Sequence, residues 1–275
     1  MAFSELPALL RLVDDPSPRV ADKVAARLRA LGEGIWNEIE TQELSLSASQ
    51  RAALERALAF EVEPQSVGAT ELLWAQWREL NSQREEIAFL EGSLWALSSW
   101  LRGESSRERG ALLLDELAGD FRASGEHDAP ALARFLFGSG EMRGAPASEF
   151  YGPRNSDLLF ALERGVGLPI TLACVFILVG ARVDVPIEGC NFPGHFLARD
   201  RSGRNVFDPY NGGRLLSARE VAALRKAAPA EMSESASSRG IIARVLRNLS
   251  VAFHHEGQAQ SSALMLSLLS ELDGD

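Results

Sequence analysis

The chain has 275 residues, enough for one large or two modest domains with an ample core. Its 28 basic and 38 acidic side chains leave a formal net charge of −10, which argues against a phosphate-binding surface and so against nucleic acid as the main partner. Two cysteines, no secretory apolar segment and no apolar run of about 20 residues point to a soluble protein of a reducing cytoplasm, without a disulfide framework and off the membrane.

Residues 5–31 read as a helical hairpin. Leu6, Leu9, Leu10 and Val13 mark one stripe, and Val20, Val24, Leu28 and Leu31 another, around the turn Asp14-Asp15-Pro16-Ser17-Pro18. The pattern resembles one HEAT-type unit, but a solenoid needs about three, so an ordinary hairpin is the simpler expectation. Helical spacing continues over Ser49–Phe60, Gln65–Leu80, Glu85–Leu101 and Arg107–Phe121. Trp74, Trp77, Trp95 and Trp100 fall in these helices and are expected in the core rather than on a partner surface. Asp128 is placed to cap a short helix ending at Phe137, and Gly138–Pro146 reads as a loop and boundary.

Leu168–Ala181 is almost wholly apolar. At about fourteen residues it is too long for an ordinary strand and reads as a buried helix, with Pro169 at its first position. Val185–Asn191, His195–Arg199 and Asn205–Asp208 read as strands, broken at Pro193-Gly194 and turned at Asp200-Arg201-Ser202-Gly203. If Arg201 and Ser202 are the central turn residues, antiparallel counting sets His195 directly opposite Asp208, with Cβ atoms about 4.5–5.5 Å apart. A carboxylate there can fix the imidazole tautomer and stabilise its cation.

Other signals are weaker. Gly165-Val166-Gly167 lacks a third glycine and a preceding strand, so no dinucleotide fingerprint is present. His254 and His255 are adjacent on a helix and point about 100° apart, and no zinc spacing exists, so neither cofactor nor metal is expected. Cys174 lies inside the apolar helix and Cys190 on a strand just before His195. Cys174 is read as a small core residue, Cys190 admits redox chemistry as an alternative, and a nucleophilic role is the lesser alternative for each. Towards the end, Ser217 and Glu220 form a capping box and Met232–Ser238 reads as a polar, mobile linker. Arg239–His255 and Gln258–Leu272 follow as two amphipathic helices about Glu256-Gly257.

Four stretches carry a resemblance: Tyr151-Gly152-Pro153-Arg154-Asn155-Ser156, Arg164-Gly165-Val166-Gly167-Leu168-Pro169-Ile170-Thr171-Leu172, Asn191-Phe192-Pro193-Gly194-His195-Phe196-Leu197 and Phe207-Asp208-Pro209-Tyr210-Asn211-Gly212-Gly213. In this combination and order the sequence resembles the transglutaminase-like superfamily, in its bacterial SirB-like branch. The resemblance spans roughly residues 85–275 and implies an α+β fold with a papain-like core. The implied organisation is a helical N-terminal region over 1–82, a SirB-type domain over 83–230 and a tetratricopeptide-like hairpin over 231–275. The central helix is expected behind a small antiparallel sheet. Active superfamily members use a Cys at the start of that helix, a His on a strand and an Asp on the next. His195 and Asp208 match the last two. The Cys place holds Pro169, Ile170 and Thr171.

Two functional classes follow. One is a non-catalytic module that binds a protein or peptide partner, because the nucleophilic Cys is replaced. The other is an acyl-transfer enzyme, a hydrolase, amidase or transamidase, with Thr171 as nucleophile, His195 as base and Asp208 as orienter. A threonine hydroxyl gains much less than a thiol from a helix N-terminus, because its pKa is far too high, and it needs a base close by.

Overall fold

The computed structural model describes the chain except residues 1–2, 4, 16, 18–19, 21–22, 25–26, 29–30, 32–34, 43, 58–65, 148–149, 193–194, 228–234 and 274–275. Contacts divide the chain into two compact units, Met1–Glu61 and Val62–Asp275. The first holds helices Leu6–Leu12, Ile35–Thr41 and Ala48–Ala57. Leu6, Leu10, Val24, Leu28, Ile35, Ile39 and Leu54 form its own small core, and the spacing that predicted the hairpin supplies four of these side chains. Part of the expected turn and second helix lies outside the described residues.

The second unit is built around the helix Pro169–Arg182, buried from Ile170 to Gly180. A helix apolar on every side must be covered on every side, and the chain supplies the cover. One side takes an antiparallel sheet ordered β6-β5-β4-β3-β7, comprising β3 (Ile187–Phe192), β4 (His195–Asp200), β5 (Val206–Asp208), β6 (Arg214–Leu215) and β7 (Ser235–Ala236). Helices Glu86–Arg102, Arg107–Ala123 and Leu158–Arg164 pack on other sides. Phe176 of the central helix meets Phe137 at 5.7 Å and Phe207 of β5 at 5.5 Å, both edge to face. This is the expected α+β core.

Strand alternation sorts the sheet's two faces. Gly189, Phe196, Ala198 and Phe207 face the central helix, while Cys190, Phe192, Leu197 and Val206 form a second apolar layer with Leu216. Gly180 makes the return from helix to sheet possible: a Cβ there would stand 2.5 Å from the Val185 carbonyl oxygen.

Several short pieces differ from the sequence reading. Gly138–Pro146 is no boundary. It contains β1 (Arg143–Gly144), which pairs in parallel with β2 (Val166–Gly167), and Met142 and Ala145 are buried. Ser235 to Ser238 is no linker either. Ser235 and Ala236 pair with Cys190 and Gly189 of β3, and Ser237 caps the following helix by accepting from the Gly240 amide. Composition flagged these residues as polar, but backbone pairing does not require apolar side chains. Residues 232–234 lie outside the described set.

The two C-terminal helices, Ser238–His255 and Ala259–Asp273, form the expected pair and pack onto the helices before the sheet. Phe253 stands edge to face with Trp100 at 5.7 Å, and the buried Trp77 donates to the Leu268 carbonyl at 3.2 Å. Trp77, Trp95 and Trp100 are buried, as expected of core tryptophans. Helix Val67–Asn81, grouped by the sequence with the N-terminal region, packs against Glu86–Arg102 in this unit. No helix among the described residues is long and apolar enough to cross a membrane.

Candidate functional site

The central helix starts as the sequence predicts. Leu168 is its extended cap residue and Pro169 its first helical position, where a missing N–H costs nothing. Both the Leu168 amide and the Thr171 hydroxyl donate to one acceptor, the Asn155 carbonyl, at 2.9 and 2.8 Å. Asn155 belongs to the 3-10 turn Pro153–Ser156, which is thereby fixed to the first turn of the helix. Thr171 is 1% exposed. Its hydroxyl proton is committed to a backbone oxygen, and no imidazole of the described residues receives it.

His195 is the first residue of β4, exposed, and paired with Phe192 of β3. Its predicted partner is displaced. β4 and β5 pair Ala198 with Phe207 and Arg199 with Val206, so the register differs from the expected one by two residues. Continued, it sets Leu197 beside Asp208 and leaves His195 on the same face but diagonal, at a residue spacing of about 7–8 Å. The reason lies in the turn. It holds four residues, 201 to 204, between Asp200 and Asn205, and the Asp200 carboxylate builds it. One oxygen accepts from the Ser202 hydroxyl at 2.7 Å and the Arg204 amide at 3.2 Å, the other from the Asn205 side chain at 2.6 Å. These bonds hold the Asp200 carboxylate below the ordinary range against the opposing effect of its partial burial.

Asp208 is buried and already occupied. It accepts from the Asn211 amide at 3.2 Å and the Asn211 side chain at 2.7 Å, with Arg214 Nε 3.9 Å away. The sequence pairing implies a His195–Asp208 hydrogen bond, direct or through one water, and no direct bond joins the two side chains. The three predicted residues form two separate groups: Thr171 is bonded to the Asn155 turn, while His195 and Asp208 share the sheet face of Phe192 and Leu197, which points away from the central helix.

The transglutaminase-like superfamily profile matches residues 108–247, half of the chain, covering the central helix and the sheet. The chain belongs to the transglutaminase-like superfamily. It is similar to a UPF0162 protein of Xylella fastidiosa, 43% identical over 113 residues, which are 37% of this chain and 40% of that one. It is also similar to a UPF0162 protein of Pseudomonas aeruginosa, 33% identical over 181 residues, 60% of this chain and 65% of that protein. The chain thus spans less than two thirds of the length of either relative. No solved structure matches it.

Within this transglutaminase-like domain neither thiol stands in for the absent helix-start cysteine. Both are free and buried, and burial pushes the Cys174 thiol up to about 12 and the Cys190 thiol up to about 11. A nucleophilic cysteine needs its thiolate stabilised, and here the apolar surroundings oppose it. In the folded protein at pH 8, neither should react with iodoacetamide on a timescale where both react in denaturant. Mass spectrometry of the alkylated chain checks this, and rapid native labelling of Cys190 would contradict it.

One feature of the site escaped the sequence reading. Gly180 lies against Ile187, and Phe176 lies against Phe207, across from Ala198 and Gly189. Four helix residues, about 6 Å, thus match two strand residues, about 6.6 Å. Continued at this rate, the Phe192–His195 end of the sheet lies about level with Pro169. Arg244, from the helix Ser238–His255, reaches this end. Its Nη1 donates to the Asn191 side-chain oxygen and, at 3.3 Å, to the Phe192 carbonyl, and its guanidinium lies over the Phe196 ring at 5.5 Å. The available signal was Ser238–His255 itself, which carries three arginines and two histidines and no carboxylate in a chain of net charge −10.

Proposed function

We propose that this chain is a non-catalytic transglutaminase-like module that binds a protein or peptide partner. The observation that carries the reading is the fate of the helix start. Its first position is a proline, and its one hydroxyl, Thr171 Oγ, is buried and donates to the Asn155 carbonyl at 2.8 Å. A carbonyl oxygen cannot take a proton from an attacking hydroxyl, so this bond holds Thr171 in a structural role. His195, exposed at the end of the sheet, is then free to contact a partner. The C-terminal pair of helices is read as a SirB-type, tetratricopeptide-like hairpin whose role is to brace the core, since one hairpin has no groove of its own. Two unpaired buried thiols suit a reducing cytoplasm.

The test compares wild type with Thr171→Ala and His195→Ala in a broad search for amidase, esterase and transamidase turnover. The expected result is no turnover above background in any of the three. Wild-type turnover that falls by orders of magnitude in both variants would establish the acyl-transfer reading instead, because members of a catalytic triad act as a unit. Turnover indifferent to both changes would place the chemistry elsewhere and overturn both.

A further inference from the structure

We propose that Arg244 is a binding residue that takes a carboxylate of the partner peptide beside Asn191 and the Phe192 carbonyl, at the end of β3. The inference rests on the module reading and names the chemistry of what is bound. It starts from the guanidinium's two edges. Nη1 is used internally, on Asn191 and the Phe192 carbonyl, and aligns the planar group over Phe196. Nε and Nη2 form the other edge, the fork that matches a carboxylate with two parallel hydrogen bonds. At three other partly buried arginines that fork is filled: Arg199 directs Nε and Nη2 to Glu188 at 3.0 and 2.9 Å. Arg182 reaches Glu91 and Asp115, and Arg102 reaches Asp157 and Glu163. Among the described residues, no carboxylate lies within 4 Å of Arg244.

A half-buried cation that has lost part of its hydration and meets no counter-charge among the described residues is unfavourable on its own. Burial accordingly lowers the Arg244 pKa, although a guanidinium stays protonated in proteins. An incoming carboxylate relieves this cost. Arg247, one turn on and exposed, adds to the local positive field. A polyanion is the poorer fit, because the chain as a whole carries −10.

The test titrates the full chain with four probes while following the Arg244 Nε–H signal and the backbone amides of Asn191 and Phe192 by NMR. N-acetylglutamate amide presents a side-chain carboxylate and N-acetylglycine a terminal one. N-acetylglutamine amide is the neutral control, and inorganic phosphate the competing anion. A saturable shift with one or both carboxylates, and none with the neutral amide, is the expected result, and the stronger of the two identifies the carboxylate's source. Arg244→Lys removes the fork and should weaken binding about tenfold or more. Asn191→Asp, nearly isosteric, supplies an internal counter-ion and should weaken it similarly while keeping the fold, which guards against a variant that merely unfolds.

No saturable shift at concentrations on the order of tens of millimolar would overturn the proposal. So would equal shifts with the neutral control, unchanged binding in Arg244→Lys, or phosphate bound about tenfold more tightly than either carboxylate. A flat titration in a catalytically silent protein removes this inference and leaves the module reading intact. Turnover lost in both alanine variants removes the module reading whatever the titration gives.

Discussion

Replacing Phe176 by alanine is expected to cost about 3–5 kcal/mol, among the largest effects of any single change in the second unit. The ring is fully buried in the middle of the central helix and joins Phe137 on one side to Phe207 on the other. Removing it takes away its own burial and the edge-to-face contacts, and leaves a cavity between helix and sheet that a helix covered on all sides cannot collapse to fill. Urea unfolding followed by fluorescence measures this, because Trp77, Trp95 and Trp100 are buried in the same core. Phe176→Leu keeps most of the volume and should cost clearly less. A loss under about 1 kcal/mol for the alanine variant would mean that the sheet closes onto the helix freely, against the packing described.

Such a core was largely legible before any coordinates. The central helix could be read because an apolar run of its length admits few other structures, and Pro169 marked its first residue. The strands containing Cys190, His195 and Phe207 were also legible from alternation and β-branched or aromatic residues. The register was not. It depended on whether the Asp200 turn closes over two residues or four, and the answer lies in three hydrogen bonds, two from side chains and one from a backbone amide, to one carboxylate that no periodicity encodes. The two-residue strands β1, β2, β6 and β7 were invisible for a related reason. A pattern of period two needs more than two residues, and these strands are fixed by the backbone edge they meet. Arg244 escaped because its significance is a matter of absence. The sequence displays the arginine, and only the packing reveals that no described carboxylate meets it.

The second large effect is expected at Asp157, in the turn that holds Thr171. Asp157 is 2% exposed as a side chain and Arg102 11%, and they meet at 2.7 Å. Arg102 also reaches Glu163 at 3.0 Å, and Glu163 in turn takes Arg109 at 2.6 Å. Asp157 does a second job: its other oxygen accepts from the Leu159 amide at 3.0 Å and caps the helix Leu158–Arg164. Asp157→Ala therefore removes a cap and strips a buried guanidinium of one counter-charge, at an expected cost of about 3–5 kcal/mol. Asp157→Asn keeps a capping oxygen and should cost about 1 kcal/mol less. The double change Asp157→Asn with Arg102→Met should recover part of the loss, because it removes the stranded charge together with its partner. Losses within about 0.5 kcal/mol of wild type for all variants would show the network to be solvated like a surface ion pair. The effect should also reach the helix start. Asp157 closes the turn whose Asn155 carbonyl accepts from Leu168 and Thr171, so its loss loosens the acceptor of both. Hydrogen exchange at the Leu168 amide should then accelerate in Asp157→Ala more than at the buried middle of the central helix. Equal acceleration at both would mean that the turn and the helix open together as one unit.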